Sequence, residues 1–113
     1  GCGGDDAKPQ AKDPRNPPFK TRVNITKDGY RPSHVKILLG GQITFVNLDK
    51  AAAHTAETDG STESEVTDSN EFDTHTLNWE EPYTVTFHKP GMIDFHSSFD
   101  SEMKGTVEVL AKR

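Results

Sequence analysis

From residue 20 onward, apolar and polar residues alternate in short runs. Each run stops at glycine, proline or an Asp-Gly pair. In "TRVNITKDGYRP" Val23 and Ile25 share one side of the chain before Asp28-Gly29 and Pro32 interrupt it. "HVKILLGGQITFVNLD" places Val35, Ile37 and Leu39 on one face, turns at Gly40-Gly41, and resumes with Ile43, Phe45 and Asn47. "YTVTFHKPGMIDFHSS" carries Tyr83, Val85 and Phe87, a turn at Lys89-Pro90-Gly91, then Ile93 and Phe95. "GTVEVLAK" closes with Val107 and Val109. Alternation at period two, in runs punctuated by turn residues, is the signature of β-strands. Several such strands in succession predict an all-β sandwich.

Two stretches depart from this rhythm. Residues 51–74 are rich in Ser, Thr, Asp, Glu and Asn and show no sustained alternation. A connection of that length is long for a compact domain and marks a functional or mobile loop. Residues 1–18 hold Gly1, Gly3, Gly4, Pro9, Pro14, Pro17 and Pro18 and almost no large apolar side chain. Such a segment cannot bury enough surface to offset its ordering entropy, so a disordered tether is expected there. One domain over residues 19–113 remains, enough for a single small core.

Charge narrows the function. The net charge is −5. Between Lys50 and Lys89 there is no Lys or Arg, while nine acids occur, among them Glu57, Asp73, Glu80 and Glu81. This distribution repels phosphate backbones, which argues against nucleic acid. It suits a basic protein partner, or simply a well-solvated face. A monomer is expected.

The one cysteine, Cys2, excludes an intramolecular disulfide. "GCGGDD" resembles the start of a processed bacterial lipoprotein, with Cys2 as the lipidated residue and the polar tether as spacer. Acyl chains would then supply the membrane affinity that the polar chain lacks. The competing reading is a tag remnant ahead of a native linker. On the lipoprotein reading the domain sits outside the cytoplasm, in the periplasm or at the cell surface, and meets the membrane only through that lipid.

The order of these signals resembles the cupredoxins, the plastocyanin- and amicyanin-like blue-copper domains. It is carried by "GYRPSHVKILLGGQITFVNLD", a loop with "HT", "FDTHTL", "YTVTFHKPGMIDFH" and "MKGTVEV". The resemblance spans about residues 20 to 111 and implies a Greek-key β-sandwich. It also implies four copper-ligand positions at one end. His54 in "NLDKAAAHT" and Met103 in "MKG" match the family. Ser97 falls where the family has cysteine, and Asp100 where it has the second histidine.

Blue copper depends on a soft thiolate. A serine hydroxyl stays protonated near neutral pH, and a thioether is only a weak ligand. By ligand count, tight type 1 copper is not expected, and no cofactor is expected beyond the copper alternative. In place of the metal, an ion pair between His54 and Asp100 is expected to clasp that end, with Ser97 beside it and Met103 filling apolar space. The alternative is a hard-metal or type 2 copper site built on His54, Asp100 and water.

The other histidines matter less. His88 and His96 alternate with inward Phe87 and Phe95, so both are expected outside, as is His34. His75, within "FDTHTL", is the one whose placement no strand pattern accounts for, and a distinct surface copper site involving His75 or His96 is a further alternative. Asp59, Ser61, Glu63 and Glu65 offer oxygens at period two, but the glycine of a calcium loop is misplaced. Trp79 is expected to cover the sandwich end. No nucleophile elbow, phosphate loop or catalytic thiol is present, so an enzyme is not expected. Two functions stand: a non-redox binding or structural module acting through its acidic loop and Trp79 end, or a copper-binding or electron-transfer protein with an atypical site at His54, Asp100 and Met103.

Overall fold

The computed structural model describes residues 19–58, 66–67, 71–100 and 102–111. The tether and Cys2, and residues 59–65 and 68–70 of the acidic loop, lie outside the described residues. Among the described residues every regular element is a strand. They are β1 (Lys20–Thr26), β2 (Gly29–Arg31), β3 (His34–Leu38), β4 (Gln42–Asn47), β5 (Val66–Thr67), β6 (Pro82–Phe87), β7 (Gly91–His96) and β8 (Lys104–Leu110).

The strands form two sheets, ordered β2-β1-β4-β6-β5 and β3-β8-β7. Pairing is mixed. β1 runs parallel to β4 with Val23 opposite Phe45, and β3 runs parallel to β8 with Val35 opposite Val107. β4 and β6 are antiparallel, as are β7 and β8. The chain therefore changes sheet between β2 and β3 and again between β3 and β4, as a Greek-key sandwich requires.

The period-two residues become the core. Val23, Ile25, Ile37, Ile43, Phe45, Val85, Phe87 and Val107 are fully buried. Leu39, Tyr83 and Ile93 pack partly against them. Gly41 explains the tightness of the turn before β4. A Cβ there would stand 2.5 Å from the Phe19 carbonyl oxygen and 2.8 Å from that of Leu38. Gly105 lies opposite Phe95, and a Cβ on it would fall 2.3 Å from the Phe95 ring. The aromatic ring therefore fills the space that the glycine leaves.

The core also draws on the stretch expected to be a loop, where Ala56 is fully buried. Phe72, in the same stretch, is fully buried too. Its ring stacks on Phe45 at 5.3 Å and meets Phe87 edge-on at 5.8 Å. Residues around it form an irregular ladder with 54–58. Thr58 N donates to Phe72 O at 2.9 Å, Thr74 N donates to Ala56 O at 3.0 Å, and Leu77 N donates to His54 O at 2.8 Å. Threonine hydroxyls accept the backbone N–H groups that this short ladder leaves over, Ala56 N to Thr74 Oγ1 and Phe72 N to Thr58 Oγ1. Buried backbone groups need such partners.

Candidate functional site at the His54 end

Asn47 ends β4 and organises the turn beyond it. It is fully buried. Its Nδ2 donates to Ala52 O at 2.9 Å and to Leu77 O at 2.8 Å, and its Oδ1 accepts from Asp49 N at 2.8 Å. The side chain thus ties the 48–52 turn to the segment carrying Leu77. Asp49 is in turn fixed by Ala51 N, which donates to its Oδ1 at 3.0 Å.

Asp49 Oδ2 accepts from His54 Nε2 at 2.8 Å. That hydrogen bond, with the Ala51 N–H behind it, holds the Asp49 carboxyl below the usual carboxylate range. An ionised carboxylate can only accept, so Nε2 is the donor in this bond. His54 Nδ1 is buried and has no hydrogen-bond partner. A carboxylate that orients one ring nitrogen and leaves the other free is the arrangement that prepares a histidine for a ligand.

The opposite wall is the segment after β7. Glu57 and His96 exchange both backbone hydrogen bonds at 2.9 Å. Ser98 N donates to Thr55 Oγ1 at 2.8 Å, and Thr55 Oγ1 donates to Glu57 Oε2 at 2.9 Å. Tyr30 Oη donates to the Thr55 carbonyl at 2.6 Å. Burial raises the Tyr30 hydroxyl above its ordinary pKa, and the Glu57 and Asp100 carboxylates push it further. The loop closes through Ser97 N to Met103 O at 3.1 Å and Met103 N to Asp100 O at 3.0 Å.

His54, Ser97 and Met103 are therefore all buried at one end of the sandwich. Asp100 is not with them: it is exposed, and its Oδ1 accepts from Glu102 N at 3.0 Å. The expected His54–Asp100 pair is corrected accordingly. Asp49 takes that role because Asn47 places it beside His54, whereas the Asp100 carboxylate closes its own turn. The signal was in the sequence, an Asn-x-Asp strand end with His five residues after the Asp. Ser97 Oγ accepts from Phe99 N at 3.2 Å.

His34 and His88 are exposed as expected, and His75 is exposed too. His96 is half-buried instead, because residues 55–57 run along the edge of β7. His75 takes a left-handed backbone, φ 63°, with its N–H bonded to Asp73 Oδ1 at 2.7 Å and its ring edge-on to Tyr83. Among the described residues, no three His, Cys, Asp or Glu side chains stand together so as to hold a metal ion. Trp79, at the end of the sheet just before β6, is half-exposed, with Lys50 Nζ 5.0 Å from its ring centroid.

Solved structures share this architecture. A purple cupredoxin from Nitrosopumilus maritimus superposes with a TM-score of 0.66, at 19% identity, over 80% of this chain and 99% of that one. The fold is that of the cupredoxins. A reduced amicyanin variant matches with a TM-score of 0.65 and 22% identity, over 80% of this chain and 82% of amicyanin. A copper-containing nitrite reductase from Thermus scotoductus SA-01 gives 0.69 and 24% over 83% of this chain, which spans only 23% of the reductase. No protein-family model matches the sequence, and no curated protein matches it. Identities this low speak for the fold alone.

Proposed function

We propose that this chain is a cupredoxin-like module, held outside the cytoplasm, that does not carry type 1 copper and acts by binding rather than by electron transfer. The observation that supports this most is the state of the Ser97–Met103 loop. The position that would supply a thiolate holds the Ser97 hydroxyl, which already accepts from Phe99 N. The position that would supply a second imidazole holds Asp100, whose carboxylate faces outward and closes its own turn. The only cysteine of the chain is Cys2. A protonated hydroxyl and a weak thioether do not make the soft, tight site that type 1 copper requires, so the residues present do not fit that ion.

The second reading, a copper-binding protein with an atypical site, draws on one atom. His54 Nδ1 is a strong donor, buried, pre-oriented by Asp49 and unpartnered. With Met103 buried at the same end, it offers an imidazole and a thioether, both of them copper ligands. Titration with Cu(II), and with Cu(I) under reducing conditions, separates the two readings when followed by NMR of the five histidines. Weak signals spread over exposed histidines support the leading reading. Tight binding centred on His54 supports the second.

The anchor belongs to the same proposal. A lipid on Cys2 would hold the domain at a membrane surface with residues 3–18 as spacer. Among the described residues no helix is long and apolar enough to cross a membrane. Mass measurement of the membrane-extracted protein tests the lipid directly.

A further inference from the structure

β7 and β8 run antiparallel in the smaller sheet, and alternation gives the pair two faces. Phe95, Ser97, Gly105 and Val107 are buried on the inner face. Asp94, His96, Lys104 and Thr106 stand on the outer one, Asp94 opposite Thr106 and His96 opposite Lys104. With Ser98 these four line an open groove of about 580 Å³. Phe95, Ser97 and Gly105 line it as well, and since their side-chain positions face the core, they offer it backbone. Small-ligand sites commonly measure about 300–1,000 Å³, so this groove has the size of one.

Its charges define what fits. Asp94 and Lys104 are both exposed and lie on a diagonal of the β7–β8 ladder, a backbone spacing of about 7–8 Å. Among the described residues neither makes an ion pair, so these opposite charges share the groove without meeting. Thr106 Oγ1 donates to Asp94 Oδ1 at 3.3 Å. That bond steadies the carboxylate and leaves Oδ2 to accept from elsewhere. Lys104 brings three N–H donors on a flexible stem. An anion entering the groove would be repelled by Asp94, and a cation by Lys104. A molecule that carries both charges satisfies both.

We infer that the outer groove of β7 and β8 binds a small zwitterion of the amino-acid type. Its carboxylate accepts from Lys104, and its ammonium donates to Asp94. Two charge-assisted bonds of opposite sign fix the orientation of the ligand as well as holding it. Both partners are exposed, so each bond contributes modestly and is screened by salt. The inference goes beyond the binding-module reading and does not depend on it, since no residue of the 48–54 turn lines the groove.

The test titrates the full chain at low salt with glycine, acetate and methylammonium, following backbone amide shifts. Glycine should move the amides of 94–98 and 104–106 in a saturable way and bind more tightly than either half-molecule. Lys104→Gln should weaken glycine binding about three- to fivefold, the worth of an exposed charge pair. It should also abolish the preference for glycine over methylammonium. Asp94→Asn should weaken glycine to a similar degree and abolish the preference over acetate. Both positions are exposed, so both variants should fold. Acetate or methylammonium binding as tightly as glycine would overturn the proposal, in favour of a site for a single charge. Variants that bind glycine as before, saturable shifts centred elsewhere, or no saturable shift at all would overturn it too. Copper is read at His54 in a separate titration, so a failure here leaves the copper-free reading standing, and a failure of that reading leaves this groove standing.

Discussion

His54 Nε2 and Asp49 Oδ2 stand 2.8 Å apart in the turn that follows β4, both side chains buried. The carboxyl is held below the usual carboxylate range, chiefly by this bond. A lowered folded value means that the stabilising contribution is complete above the unfolded value, about pH 4. It is lost as pH falls through the lowered value. Asp49→Asn should therefore reduce stability at neutral pH. The gap between variant and parent should narrow below about pH 4 in denaturant melts across a pH series. A gap independent of pH would show that the ionised Asp49 carboxylate contributes nothing.

Phe72 fixes an otherwise polar segment into the core. Phe72→Ala should cost about 3–5 kcal/mol, the range for a fully buried ring. Hydrogen exchange should quicken at Ala56, Thr58 and Thr74, whose backbone bonds flank it. Truncating exposed Met92 is the control and should change stability little.

Gly105→Ala places a methyl group 2.3 Å from the Phe95 ring. Overpacking of this kind costs about 1–3 kcal/mol. Phe95→Leu on the same background should recover part of the loss, which a thermal melt of the single and double variants measures.

Much of the fold was legible because burial on one face writes itself into a strand every second residue. Val23 and Ile25, Ile43 and Phe45, and Val107 and Val109 were placed by that rule and are buried. Phe72 was not, since its ladder with residues 54–58 is held by threonine hydroxyls rather than by apolar alternation. The site was half legible. His54, Ser97 and Met103, which the resemblance singled out, are all buried, but the partner of His54 depends on how Asn47 folds the turn, which no periodicity records.

If the scaffold is that of a copper protein short of two ligands, restoring them should restore the ion. Ser97→Cys with Asp100→His is expected to take up Cu(II) and gain an intense visible thiolate-to-copper band, with His54 Nδ1 and Met103 completing the set. Adding Ala at His54 to that double variant should remove the band. A folded double variant that stays colourless would place Ser97 and Asp100 outside the ligand positions.

The most direct test of the central claim is the copper affinity of the unaltered chain, measured by competition for Cu(I) and Cu(II) while the His54 ring signals are followed by NMR. A copper-free binding module should show dissociation constants weaker than about 1 µM, with His54 signals unmoved. Submicromolar binding that shifts His54 Nδ1, and that is lost on Met103→Leu, would contradict the account and make this end a copper site.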